Sequence, residues 1–278
     1  YGTGKFKGRS EALLGNFYAQ NEIKKAISAP PISISRFLWD RKDAKAYFCT
    51  KIAPFPWVVG SSAIRGSVEA SYTRLGKKMD VLQFHWPPTW QWQEDNYVEV
   101  FHAFVLENKA TQLGFSNFGT KAIRRVLKKI SALNVEREVN VGSNQVQFSM
   151  LSLAPLRGDL AEVCAAANIQ LIGYSPLALG LLADKYTMNN LPSGARAVLF
   201  REYLPAIQGL LNELRSIARY RNKTVSQVVL NWNLSKGILP LVGIRSIRQV
   251  RKSPRAADAS YTFQCPIQFS SSFFTCDA

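Results

Sequence analysis

Strand-length apolar runs recur along this chain at a near-constant interval, and each stops on a polar or aromatic side chain. Tyr47 to Thr50 ends on Lys51. Val81-Leu82-Gln83-Phe84 ends on His85, after which Trp86-Pro87-Pro88 forbids regular structure, since proline locks φ and has no N–H to donate. Thr111 to Phe115 ends on Ser116-Asn117, Val139 to Gly142 leads into Ser143-Asn144-Gln145, Ile169 to Gly173 ends on Tyr174-Ser175-Pro176, and Ile238 to Val242 ends on Gly243-Ile244-Arg245. By subtraction, the steps from Lys51 to His85, on to Asn117, Gln145 and Tyr174, are 34, 32, 28 and 29 residues. One strand, one helix and two loops fill that length, so the chain is a series of βα units.

Between the runs the pattern takes a helical period. Ser61-Ser62 are placed to cap a helix whose stripe is Ile64, Val68, Tyr72 and Leu75, and Gly76 follows where a C-terminal glycine is favoured. Thr120 opens a second helix, with Ile123, Val126, Leu127, Ile130 and Leu133 on one face and Lys121, Arg124, Arg125 and Lys128 on the other. Thr224 precedes a third, with Val225, Val228, Val229 and Trp232 apolar. Each stripe reads as packing against a sheet. His102 sits inside a helix-patterned stretch, so of the two histidines His85 is the one placed like a functional group.

Parallel βα units close into a barrel or open into a doubly wound sheet. A doubly wound dinucleotide fold carries a glycine-rich fingerprint after its first strand, and none is present in that context. Gly2 to Ser10 imitates a phosphate-binding loop, but its spacing is one residue too long, arginine replaces lysine, and no strand precedes it. Functional side chains at almost every strand end suit a barrel, whose site is assembled at that face.

An ordered set of motifs carries a family resemblance. Tyr1-Gly2, Arg9-Ser10-Glu11-Ala12-Leu13-Leu14-Gly15, Thr50-Lys51, His85-Trp86-Pro87, Gly114-Phe115-Ser116-Asn117-Phe118, Ser143-Asn144-Gln145-Val146, Tyr174-Ser175-Pro176-Leu177 and Gly180-Leu181-Leu182 resemble the aldo-keto reductases. With Ala53-Pro54-Phe55-Pro56-Trp57 and Pro192-Ser193-Gly194, the chain is most similar to the plant-plastid branch. The resemblance covers residues 1–252 and implies a (β/α)8 TIM barrel that uses NADP(H) to reduce a small aldehyde or ketone. On matching positions, Tyr1 would be the general acid toward the carbonyl oxygen, Lys51 would lower its pKa, and His85 would orient the carbonyl. A phenol titrating near ~10 needs a neighbouring cation to work at neutral pH. Ser116, Asn117 and Gln145 would hold the nicotinamide carboxamide, and Tyr174 would offer its ring a flat face. Ser175 and Leu177 would line the cofactor, while Gly243, Arg245 and Gln249 would hold its 2′-phosphate.

The chain also departs from the pattern. The family places its first two strands, and an aspartate that pairs with the lysine, ahead of the tyrosine with which this sequence begins, so the expected barrel lacks those strands. Ser253 stands where the family usually has asparagine, and residues 253–278 form a divergent tail without a helix stripe. A second reading follows: a catalytically impaired reductase-like accessory subunit of a larger, plastid assembly.

Composition bounds the rest. With 47% hydrophobic residues in 278, the chain can bury the core of one barrel, and no apolar run reaches the roughly 18 residues of a membrane helix. Residues 28–43 read as an insertion loop, and the tryptophan-rich stretch Thr89 to Asp95 as a substrate-side loop. Cys49, Cys164, Cys265 and Cys276 have neither CxxC nor zinc spacing, which makes free thiols in a reducing compartment the expectation. The net charge of +16 suits a solvated surface or an acidic protein partner, and no nucleic-acid recognition module is visible. The branch implies a plastid location, with the cytoplasm as the alternative.

Overall fold

The computed structural model describes residues 11–12, 47–135 and 137–243. The described residues divide into two bodies, one of those up to Pro176 together with Leu239–Leu241, the other of Leu177–Ile238 with Val242 and Gly243.

Among the described residues, the first body holds six strands: β1 (Cys49–Ile52), β2 (Met79–Phe84), β3 (Ala110–Ser116), β4 (Val141–Gln147), β5 (Gln170–Tyr174) and β6 (Leu239–Leu241). All neighbours are parallel, and the order in the sheet is the order in the sequence. A doubly wound sheet would reverse its strand order partway across. The unreversed order, with a helix between successive strands, is that of a (β/α)8 barrel, of which these are six strands.

The register aligns Lys51 with Gln83, Gln83 with Gly114, Gly114 with Ser143, and Ser143 with Gln170. Gly114 is required by what crosses it. Gln83 Nε2 on β2 donates to Ser143 Oγ on β4 at 3.1 Å. A Cβ on Gly114 would lie 2.8 Å from Gln83 Cγ and 2.9 Å from both Ser143 Oγ and Val81 Cγ1.

Between the strands lie α1 (Ser61–Leu75), α2 (Gln91–Leu106), α3 (Thr120–Leu133), α4 (Ala154–Arg157) and α5 (Leu160–Ala166). In α1, Ile64, Val68 and Leu75 are buried as the stripe requires, with Tyr72 half-buried. Gly76 adopts the left-handed conformation and donates to Tyr72 O at 3.0 Å. The N-terminal expectation is corrected. Ser61 and Ser62 lie within the helix and make no cap; Gly60, at φ 79°, is the cap position, because the chain enters through a conformation that glycine adopts without strain. In α3, Ile123, Val126 and Ile130 are buried, Leu127 is half-buried, and Leu133 at the end of the helix is exposed.

Two further expectations shift. Ser143, Asn144 and Gln145 lie inside β4, not after it, because parallel partners on both sides take up their backbone groups. The stretch Thr89 to Asp95 is a loop only to Trp90; from Gln91 it is the first turn of α2, with Gln93 and Glu94 buried. Phe84 on β2 packs against Phe101 of α2 at 4.5 Å, Phe118 at 5.4 Å and Phe115 at 6.0 Å, so α2 is seated by an aromatic core. His102, also in α2, is buried with Nε2 2.9 Å from Asn134 Oδ1, a structural role.

The second body contains a 3-10 segment (Ala178–Ala183), α6 (Arg196–Ala206), α7 (Gln208–Tyr220) and α8 (Val225–Ser235). Thr224 caps α8 through a full capping box: Gln227 N donates to Thr224 Oγ1 at 3.3 Å, and Thr224 N to Gln227 Oε1 at 2.9 Å. Val225, Val228, Val229 and Trp232 are buried. Cys49 and Cys164 are free thiols, and no described helix is long and apolar enough to cross a membrane.

Candidate active site

Parallel strands in sequence order bring their C-terminal ends to one edge of the sheet, which gathers residues far apart in the chain. Lys51 comes from β1, His85 follows β2, Ser116 ends β3 with Asn117 after it, Gln145 lies on β4, and Tyr174 ends β5. Backbone bonds set the neighbours: His85 N donates to Ile52 O at 2.9 Å, and Asn117 N to Gln145 O at 2.9 Å.

Side chains then link across the strands. Lys51 Nζ donates to Gln145 Oε1, so the first and fourth strands meet at this edge. Tyr174 Oη donates to Asn117 Oδ1 at 3.1 Å, and Asn117 Nδ2 lies 3.4 Å from Ser116 Oγ. Asn117 adopts φ 59°, a left-handed conformation that asparagine tolerates better than most residues, and this aims its amide back along the row. Ser116 and Gln145 are buried, whereas Asn117 is exposed.

Burial governs the electrostatics. It pushes the Lys51 ammonium below the ordinary lysine range, opposed by Cys49. It also pushes the His85 imidazole down, with the Lys51 charge adding to the effect. A histidine so placed is neutral at neutral pH, with one N–H to donate and one nitrogen to accept. Its ring lies 4.8 Å from that of Trp86.

The donor set fits an amide-bearing, flat cofactor. A carboxamide needs a donor for its oxygen and an acceptor for its NH2 group. Ser116 Oγ has its own proton to give, and Gln145 Nε2 remains a donor while its oxygen serves Lys51. Asn117 Oδ1, already accepting from Tyr174, has a second lone pair. Tyr174, held by that bond, is half-buried beside them.

The structure therefore brings together Lys51, His85, Ser116, Asn117, Gln145 and Tyr174. Ser175, at φ 56°, continues directly from β5. Leu177 and Gly243 belong to the second body. Tyr1, Arg245 and Gln249 lie outside the described residues, as do residues 28–43, the tail from 253, and Cys265 and Cys276. Sequence reasoning missed Gln83 and Gln93. Gln93 is wholly buried, and its Nε2 donates to Phe55 O at 2.9 Å and Val58 O at 3.2 Å, fixing the loop after β1. A glutamine within an apolar run was the available signal for Gln83; for Gln93 nothing local distinguishes it.

Known proteins match both the sequence and the fold. The chloroplastic pyridoxal reductase of Arabidopsis thaliana is 35% identical over 261 residues, 90% of this chain and 64% of that protein. An uncharacterized oxidoreductase of Mycobacterium bovis is 33% identical across 77% of this chain and 63% of its own length, so the chain spans less than two thirds of either relative. The NADH-specific methylglyoxal reductase of Escherichia coli is 29% identical over 70% of this chain and 59% of that protein. Among solved structures, a thermostable aldo-keto reductase in complex with the inhibitor epalrestat superposes with a TM-score of 0.64 at 19% identity, covering 91% of this chain and 74% of the other. Residues 1–264 match the sequence model of the Aldo/keto reductase family, and with the unreversed parallel sheet in agreement, the chain belongs to that family.

Proposed function

We propose that the row at the strand ends is the working site of an NADPH-dependent reductase acting on an aldehyde or ketone. The observation that carries the reading is the meeting of Lys51 on β1 with Gln145 on β4 beside His85, Asn117 and Tyr174. The nicotinamide cofactor supplies the hydride when bound. Ser116 Oγ and Gln145 Nε2 donate toward its carboxamide, Asn117 Oδ1 accepts from it, and Tyr174 presents a flat face. Neutral His85 donates its N–H to the carbonyl oxygen and orients the carbonyl. Tyr1 would give a proton to that oxygen, and the Lys51 charge would lower the phenol's pKa. Ser175, Leu177, Gly243, Arg245 and Gln249 are the further cofactor residues that the family pattern would imply, in a reductase barrel proposed for residues 1–252 with a separate tail, 253–278.

Pyridoxal is the first aldehyde to test, given the relative of that name, and its chloroplastic label supports a plastid location. NADPH and NADH are compared because one relative is NADH-specific. Titration of the full-length protein, followed by tryptophan quenching, should show saturable binding with NADPH preferred. His85→Ala should leave that binding in place while removing aldehyde-dependent NADPH oxidation, and unchanged turnover would sink the assignment. A second reading, an impaired accessory subunit with an acidic partner, draws on the +16 charge and on an amide as the described partner of Lys51. A pure protein that turns over aldehydes rapidly counts against it.

A further inference from the structure

A continuous file of aromatic rings leads away from His85. The His85 and Trp86 rings are 4.8 Å apart, Trp86 meets Phe55 edge-on at 5.5 Å, and Phe55 stacks on Trp57 at 4.8 Å with the planes 9° from parallel. All three steps fall in the range of favourable ring pairs. The last ring is 73% exposed, with one face of Trp57 lying on Phe55. A large aromatic surface held out to water costs hydration free energy, which makes it informative in a way that a scattered exposed leucine is not.

The loop that carries these rings is built and not draped. Pro54 and Pro56 restrict its backbone on either side of Phe55. Within the loop, Phe55 N donates to Ala53 O at 2.9 Å and Val58 N to Phe55 O at 3.0 Å. From α2, Gln93 Nε2 donates to Phe55 O and Val58 O, and Tyr97 Oη to Ala53 O at 3.3 Å. Gln93 and Tyr97 are both fully buried, so the anchor does not compete with solvent. An exposed tryptophan on a loop fixed by interior side chains is a preorganised contact surface, whose ordering cost is met before any ligand arrives.

We infer that Phe55 and Trp57 form a distal specificity subsite for carbonyl substrates that carry an extended flat aromatic group, with Gln93 as its positioning residue. This rests on the reductase reading above. With the carbonyl at His85, a first ring lies along Trp86, and a second conjugated ring is needed to reach Phe55 and Trp57. A short aliphatic aldehyde gains nothing from the file. The recognised chemistry is therefore a biaryl or fused-ring aldehyde.

The test compares kcat/KM for biphenyl-4-carbaldehyde and butanal in wild type, Trp57→Ala and Trp57→Phe. Trp57→Ala should lower the biphenyl value roughly five- to tenfold, the scale of one aromatic pair, and leave butanal within about twofold. Trp57→Phe should keep most of the biphenyl activity, as a smaller ring still stacks. Equal loss on both aldehydes, or none on either, overturns the subsite. Calorimetric binding of biphenyl-4-methanol gives a readout without turnover and should weaken in Trp57→Ala. If wild type binds this alcohol through Trp57 yet reduces no aldehyde, the reductase reading fails and the carbonyl-specificity role falls with it, while aromatic binding at Phe55 and Trp57 stands. If it reduces both aldehydes with a ratio indifferent to Trp57, the subsite fails and the reductase reading stands.

Discussion

Replacing Arg125 with methionine removes two charge-assisted hydrogen bonds from a carboxylate that water does not reach. Glu94, in the first turn of α2, is 1% exposed at its side chain. Arg125 of α3 grips it with Nε at 2.8 Å and Nη2 at 2.7 Å, and Lys129 adds a third bond at 2.9 Å. A hydrogen bond to a charged group contributes about 1.5–3 kcal/mol, but Lys129 remains and can shift toward the vacated oxygen. The expected net loss is therefore about 2 kcal/mol, less than the sum of two bonds. Arg65 and Glu107 make a similar fork, yet their side chains are 43% and 35% exposed, so solvent screening should hold Arg65→Met below about 1 kcal/mol. Urea unfolding of both variants beside wild type measures the difference as a shift in midpoint at constant slope. The sign with pH is also set. Burial raises the Glu94 pKa, but hydrogen bonds and charge from Arg125 and Lys129 outweigh it and hold the carboxyl below its ordinary value. The unfolded chain therefore takes up the proton first as acid is added. The stabilisation is full above the unfolded value of about 4.3 and is lost as pH falls through the folded one. The gap between wild type and Arg125→Met should narrow in that window. Equal destabilisation by the two variants at neutral pH, or a gap that persists in acid, would refute the reasoning.

Three other outcomes follow from the structure. Gly114→Ala should cost about 3 kcal/mol, because its Cβ would press on Gln83, Ser143 and Val81 inside the sheet. Gly142→Ala should cost under about 1 kcal/mol although its nearest contact is shorter, since it meets only the mobile end of Gln112; the two unfolding midpoints decide this. The acid limb of kcat/KM assigned to His85 should have its midpoint below the ordinary histidine value of about 6.5, because burial and the Lys51 charge both disfavour the imidazolium. A limb that vanishes in His85→Gln and yet lies at or above that value counts against this electrostatic reading of His85.

Much of the fold could be read without coordinates because its signal is local and repeated. Each βα unit alternates a strand-length apolar run with a helical stripe, and each run stops where a polar residue or proline ends it. The positions of Lys51, His85, Ser116, Asn117, Gln145 and Tyr174 at one sheet edge follow from that repeat once the strands are parallel and in order. Cap and boundary positions were less legible. The cap of α1 fell on Gly60 through a backbone angle, and the start of α2 moved into the tryptophan-rich stretch, where the buried Gln93 and Glu94 found hydrogen-bond partners.

What the chain's own order of residues determined is the βα periodicity and the kinds of side chain delivered to the strand ends. Tertiary structure alone decided which of them touch: Lys51 with Gln145 across four strands, Gln83 reaching Ser143 over Gly114, and Gln93 holding the loop of Phe55 and Trp57. The physical reason is distance along the chain. Apolar periodicity is set within a few residues by backbone geometry, whereas these contacts join residues tens of positions apart. They exist only after sheet register and helix packing have brought those residues within hydrogen-bonding reach.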